Sequence, residues 1–161
     1  MDFASEIVQL FDLVIAKLKN DRLFTQQLAL QIEDIRFKTF LNKLALYKQN
    51  QEEVLATLKK ECYKQRHLPS PEARENLKAL VGCCCSKPEQ EEPKANYQFK
   101  DKIRCLLLAL KDNVAFYTGL KAFVCDKKSK QLVEELIREE LTYLSQLYDL
   151  WEELLSFVTK N

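Results

Sequence analysis

With two glycines and four prolines in 161 residues, the chain has too little turn chemistry for a sheet-rich fold, and its wealth of Leu, Lys, Glu and Gln points to long helices. That length suits one domain whose core is large enough to need neither disulfides nor a structural metal. A formal net charge of +1 with acids and bases interleaved argues against nucleic acid or an anionic membrane surface as partner, and no apolar run approaches the roughly 20 residues of a membrane span.

Phe3, Ile7, Leu10, Phe11, Val14 and Leu18 follow the three-and-four spacing of one helix face, which predicts a helix from about Phe3 to Lys19. Asn20-Asp21 is expected to turn the chain and cap the next helix, since a short side-chain oxygen satisfies the free N–H groups at a helix start. The second helix carries Leu23, Leu28, Ile32, Ile35, Phe40, Leu41 and Leu44 toward Lys60. Unbroken it would be about 60 Å long, so a bend near Gln49-Asn50 is expected.

Between Tyr63 and Ala95 the periodicity lapses into a crossover. Ser70 as cap and Pro71 at the first helical position predict a short helix near Glu72–Leu80, and the polar, proline-bounded stretch Ser86–Lys94 reads as a mobile loop. Helices over about Tyr97–Cys125 and Ser129–Val158 follow, separated by a turn at Asp126-Lys127-Lys128. Two helical hairpins joined by one long connection describe an all-α four-helix bundle of the ferritin-like kind, a single domain over residues 1–161 with the crossover at 63–95.

Shifting the chain by 106 residues lays one hairpin on the other without a gap. Asn20 falls on Asp126, Glu33 on Glu139, Asp34 on Glu140 and Phe37 on Tyr143, so both turns and both acidic pairs coincide, as in a duplication. Glu6 and Asp112 also pair under this shift.

The second half, Asp112-Asn113-Val114-Ala115-Phe116-Tyr117 followed by Leu136-Ile137-Arg138-Glu139-Glu140-Leu141-Thr142-Tyr143, resembles a rubrerythrin domain of the ferritin-like superfamily. The first half, through Glu33-Asp34-Ile35-Arg36-Phe37, is similar to ferritin-like families as well. Such bundles hold a di-iron centre with one Glu from each of two helices and Glu-x-x-His from each of the other two. The resemblance implies that Asp34 and Glu140 take the Glu positions, with Phe37 and Tyr143 where imidazoles belong and Tyr117 close by. Glu6 and Asp112 are the nearest acids on the remaining helices, and the sole histidine, His67, lies in the crossover.

With both imidazoles missing, the motif is a degenerate one, and two readings follow. In the first, no cofactor is expected: Glu33 and Glu139 face solvent, while Asp34 and Glu140 pair with Arg, Lys or a tyrosine hydroxyl. In the second, Glu6, Asp34, Asp112 and Glu140 form a carboxylate-rich remnant that binds iron, manganese or another hard cation.

Cys83-Cys84-Cys85 is the other unusual string. Three adjacent thiols cannot all reach one metal without a sharp bend, so they read as small thiols at a helix end and as candidate positions for thiol modification. No phosphate loop, nucleophile elbow or dinucleotide fingerprint is present, and His67 with a nearby cysteine lacks an orienting third group. The run of three cysteines makes a poor disulfide framework, and Met1-Asp2-Phe3-Ala4-Ser5-Glu6 lacks the basic start of a secretory signal, so a cytoplasmic location is expected. The expectation is a non-catalytic bundle that associates with itself or with a protein partner; the alternative is a metal-binding protein using the remnant site.

Overall fold

The structure, a computed structural model, describes residues 3–65, 69–85 and 99–159. Five helices account for almost all of them: α1 (Phe3–Gln31), α2 (Ile35–Lys64), α3 (Pro71–Cys85), α4 (Phe99–Phe123) and α5 (Lys127–Thr159), with no strand among the described residues. None of these helices is long and apolar enough to cross a membrane.

Three helices start with the same local chemistry. Asp34 Oδ1 accepts the Phe37 N–H at 3.0 Å, Ser70 Oγ accepts the Ala73 N–H at 3.1 Å, and Asp126 Oδ1 accepts the Ser129 N–H at 2.8 Å. In each, the cap satisfies a donor that the first helical turn leaves without a partner.

The first hairpin turns at Ile32-Glu33-Asp34, not at Asn20-Asp21. The apolar seam runs unbroken through Ile7, Phe11, Val14, Leu18, Leu28 and Ile32, and Asp21 pairs with Lys17 one turn back instead of capping. Helix α2 likewise passes Gln49-Asn50 without interruption. The expected short helix of the crossover extends to Cys85, and Lys127-Lys128 already belong to α5. The segment Ser86–Lys94 and His67 lie outside the described residues.

These boundaries overturn the 106-residue register. The two hairpin turns, capped by Asp34 and Asp126, lie 92 positions apart. Asn20 sits inside α1 and has no counterpart in the turn at Asp126.

The long helices form an all-helical bundle in which each packs against two others. Asp12–Lys59 at 2.6 Å and Arg22–Glu52 at 2.8 Å run α1 against α2, and Lys121–Glu134 at 3.0 Å runs α4 against α5. Lys17–Asn113 and Gln31–Lys102 join α1 to α4, and Arg36–Glu153 at 2.9 Å joins α2 to α5. With Asn113–Glu140 as a second contact of α4 with α5 and Gln51–Glu140 as a second of α2 with α5, the numbers in each pair rise on one helix as they fall on the other, so these four pairs of long helices are antiparallel. The Phe37 and Phe99 rings meet 5.7 Å apart, which puts the starts of α2 and α4 at the same end and makes the crossover span the bundle's length. Helix α3 packs on α4 and α1, and Gly119 permits the close approach: a β-carbon there would press on Leu80 Cδ1.

The apolar core is in two parts. One, around Phe11, Leu18, Leu55, Leu58, Phe116 and Leu120, takes in Leu77 and Val81 of α3; the other lies around Leu28, Phe37, Leu41, Leu44, Ile103, Leu110 and Leu147. Between them lies a band of polar side chains.

Candidate functional site

Midway along each long helix polar residues interrupt the apolar seam: buried Thr25 with half-buried Asp21 in α1, Lys48 and Gln51 in α2, Asn113 in α4 and Glu140 in α5; the other buried polar residue among the described ones, Ser129, lies in the first turn of α5. Lys48 and Glu140 each stand 14 residues after the capping aspartate of their helix, and Asp21 and Asn113 each stand 13 before the cap that follows them. One polar residue from each long helix thus falls in a common central layer.

Glu140 anchors the layer with no exposed surface at all. Its Oε1 accepts from Asn113 Nδ2 at 2.9 Å and its Oε2 accepts from Gln51 Nε2. Lys17 Nζ then donates to Asn113 Oδ1 at 3.0 Å and to Asp21 Oδ2 at 2.8 Å. The chain of contacts Asp21, Lys17, Asn113, Glu140, Gln51 visits all four long helices. Thr25 Oγ1 turns back onto the Asp21 carbonyl at 2.7 Å.

Lys48 is fully buried beside this chain, and its Nζ has no hydrogen-bond partner among the described residues. Burial lowers its basicity, while the Glu140 and Asp21 carboxylates oppose that effect. Burial raises the Glu140 pKa, against the pull of Lys48 and of the Asn113 and Gln51 amides. Each group is pushed toward its neutral form by desolvation and toward its charged form by the other.

Three tyrosines border the layer. Tyr47 donates to the Leu136 carbonyl at 3.2 Å and stacks on Tyr143 with ring centroids 4.7 Å apart. Tyr117 is completely buried and its hydroxyl has no hydrogen-bond partner among the described residues. Desolvation and then the negative charge of Glu140 raise the pKa of both Tyr47 and Tyr117, which keeps them protonated.

The structure does not bring the expected ligand set together. Glu6 pairs with Lys78 at 3.2 Å, on α3. Asp34 is the α2 cap, with Glu33 exposed in the turn beside it, and Phe37 is a core residue against Phe40 and Phe99. Asp112 is half-buried next to Asn113, which takes the inward place on α4. Of the four acids, Glu140 alone lies in the central layer. Tyr143 and Tyr117 border it. Cys83, Cys84 and Cys85 close α3, and their side chains lie outside the described residues.

Lys17, Asp21, Lys48, Gln51 and Asn113 were missed. Their signal was present in part: Lys48 and Gln51 interrupt the series Leu41, Leu44, Leu55, Leu58 at seam positions, and Asn113 interrupts Ile103, Leu106, Leu110, Leu120.

Chemically, the layer does not fit a metal ion. A hard divalent cation wants several oxygen donors with negative charge, whereas here two carboxylates share the space with two lysine side chains and two amides, and Glu140 is already bound to both amides. Among the described residues no group of three or more His, Cys, Asp or Glu is placed to hold a metal. No family model matches the chain, and no curated protein or solved structure matches it.

Proposed function

We propose that this chain is a non-catalytic bundle of ferritin-like architecture whose metal site has been replaced by a buried charge and amide network, and that it works through its surface as a self-associating or protein-binding module. The observation that carries this reading is the composition of the central layer. A di-iron bundle draws one carboxylate from each of two helices and a Glu-x-x-His from each of the other two. In the register set by the capping aspartates, the corresponding positions are Asp21 and Asn113, Lys48-x-x-Gln51 and Glu140-x-x-Tyr143. Neither imidazole position carries a histidine, and two of the four acid positions carry an amide and a lysine, so Lys48 supplies positive charge from within the chain.

Antiparallel neighbours joined by one full-length crossover support the architecture. The equal spacing of the layer from both caps supports descent from a duplicated hairpin, in the 92-residue register. The surface role is supported by Leu141, Tyr148 and Leu155, large apolar residues left exposed seven apart along α5, one face of a helix.

Elemental analysis of protein purified without chelator tests the loss of the metal. Iron and manganese far below one equivalent, with an unchanged melting temperature in EDTA, are expected. Stoichiometric metal that disappears in Glu140→Ala would overturn the reading. Sedimentation velocity then separates the two modes of association: a concentration-dependent dimer lost in Leu141→Glu/Leu155→Glu assigns the surface to a second copy, and a monomer throughout assigns it to a different protein.

A further inference from the structure

Within and beside the central layer, three buried polar atoms have no hydrogen-bond partner among the described residues: Lys48 Nζ, Gln51 Oε1 and Tyr117 OH. All three belong to buried residues, two on α2 and one on α4. Gln51 binds Glu140 directly, Lys48 stands one turn before Gln51 on α2 and Tyr117 one turn after Asn113, the other amide on Glu140, on α4. Leaving such groups unpaired in a low-dielectric interior is costly, and native proteins seldom do so.

Their chemistry defines what would satisfy them. An ammonium only donates, an amide oxygen only accepts, and a phenol does both. The complement is a small neutral molecule that accepts and donates. A free anion is disfavoured by Glu140 and Asp21, and a metal cation by Lys48 and Lys17. An apolar guest would leave all three atoms unpaired.

We propose that the layer is a binding site for ordered internal water. At least one molecule accepts a hydrogen bond from Lys48 Nζ and donates to Gln51 Oε1, and the Tyr117 hydroxyl bonds to it or to a second water. Two to four polar partners are what buried waters ordinarily have. The ammonium and its water together take the central place that a metal with its ligands holds in a di-iron bundle. In that comparison the assignment rests on the reading under Proposed function, but the two fail differently.

A crystal structure of the full chain at near-atomic resolution, together with water-oxygen-17 magnetic relaxation dispersion, tests the site. The expected result is a water peak within hydrogen-bond distance of Lys48 Nζ and Gln51 Oε1. Long-lived water should be detected in the wild type, and Lys48→Met or Tyr117→Phe should hold fewer such molecules. Lys48 Nζ seated directly on the Glu140 or Asp21 carboxylate with no water, and no long-lived water in the wild type, would overturn this proposal and leave the loss of the metal site standing. A halide peak at Lys48 would also overturn it. A bound metal would overturn both. If either variant does not fold, the wild-type crystal and dispersion results decide by themselves.

Discussion

Glu140 binds the Gln51 and Asn113 amides and is the strongest negative charge acting on Lys48, whose Nζ has no hydrogen-bond partner among the described residues. Removing one member of such a set leaves the others buried without compensation, which costs about 3–5 kcal/mol, whereas replacing both charges by apolar groups of similar volume is often close to neutral. Glu140→Leu is therefore expected to lower the unfolding free energy by about 3–5 kcal/mol. The double variant Lys48→Met/Glu140→Leu should be more stable than Glu140→Leu alone. Urea denaturation of the wild type, both single variants and the double variant measures this as a cycle, and additive losses would mean that the two charges do not interact.

At the level of the helices, the sequence is read locally and the reading mostly holds. Caps, seams and the proline at the start of α3 involve residues within four positions of one another, so their physics is complete in a short window. Asp34 and Asp126 do the same work in the two hairpins, and Asp34→Ala and Asp126→Ala are each expected to cost about 1 kcal/mol, with Asn in place of Asp recovering most of it. Thermal unfolding of the four variants checks the pair. An Asp34→Ala variant as stable as the wild type would mean that the α2 cap contributes nothing. Where the helix expectations failed, at Asn20-Asp21 and Gln49-Asn50, a plausible local turn or bend lost to the continuous seam that buries α1 and α2 against each other.

For the whole molecule, the central layer makes stability depend on pH in two opposing ways. Glu140, with its pKa raised above the ordinary 4.5, holds its proton more firmly when folded. Its contribution is thus full below that value and is lost as pH rises through the folded pKa. Lys48, lowered from 10.5, releases its proton more readily when folded, so stability is regained as pH rises from its folded pKa toward 10.5. The difference in unfolding free energy between the wild type and Lys48→Met/Glu140→Leu should therefore pass through a minimum between the acid and alkaline limbs. Parallel profiles from denaturation across this range would mean that the pair does not titrate. At the acid end a separate effect enters: hydrogen bonds from Ser129 and then Gln65 hold Asp126 down to about 2, so its contribution is present above 3.8 and lost as pH falls through 2.

The sequence by itself determined the helical class, the Ser70 cap and the place of Pro71 at the first position of α3, because periodicity and capping are short-range properties. The tertiary structure decided which polar residues meet. The mistaken register and the observed one, 106 against 92, differ by 14 residues, two heptads. An apolar seam slipped by two heptads still lays apolar on apolar, so hydrophobic pattern alone is nearly blind to the error. That slip is the distance from Asp34 to Lys48: it matched Glu140 with an acid that caps a helix instead of with the buried lysine whose charge acts on it. The choice between them was made by where the first hairpin turns, and that depends on how much seam α1 and α2 can bury together, a quantity that exists only once the helices are packed.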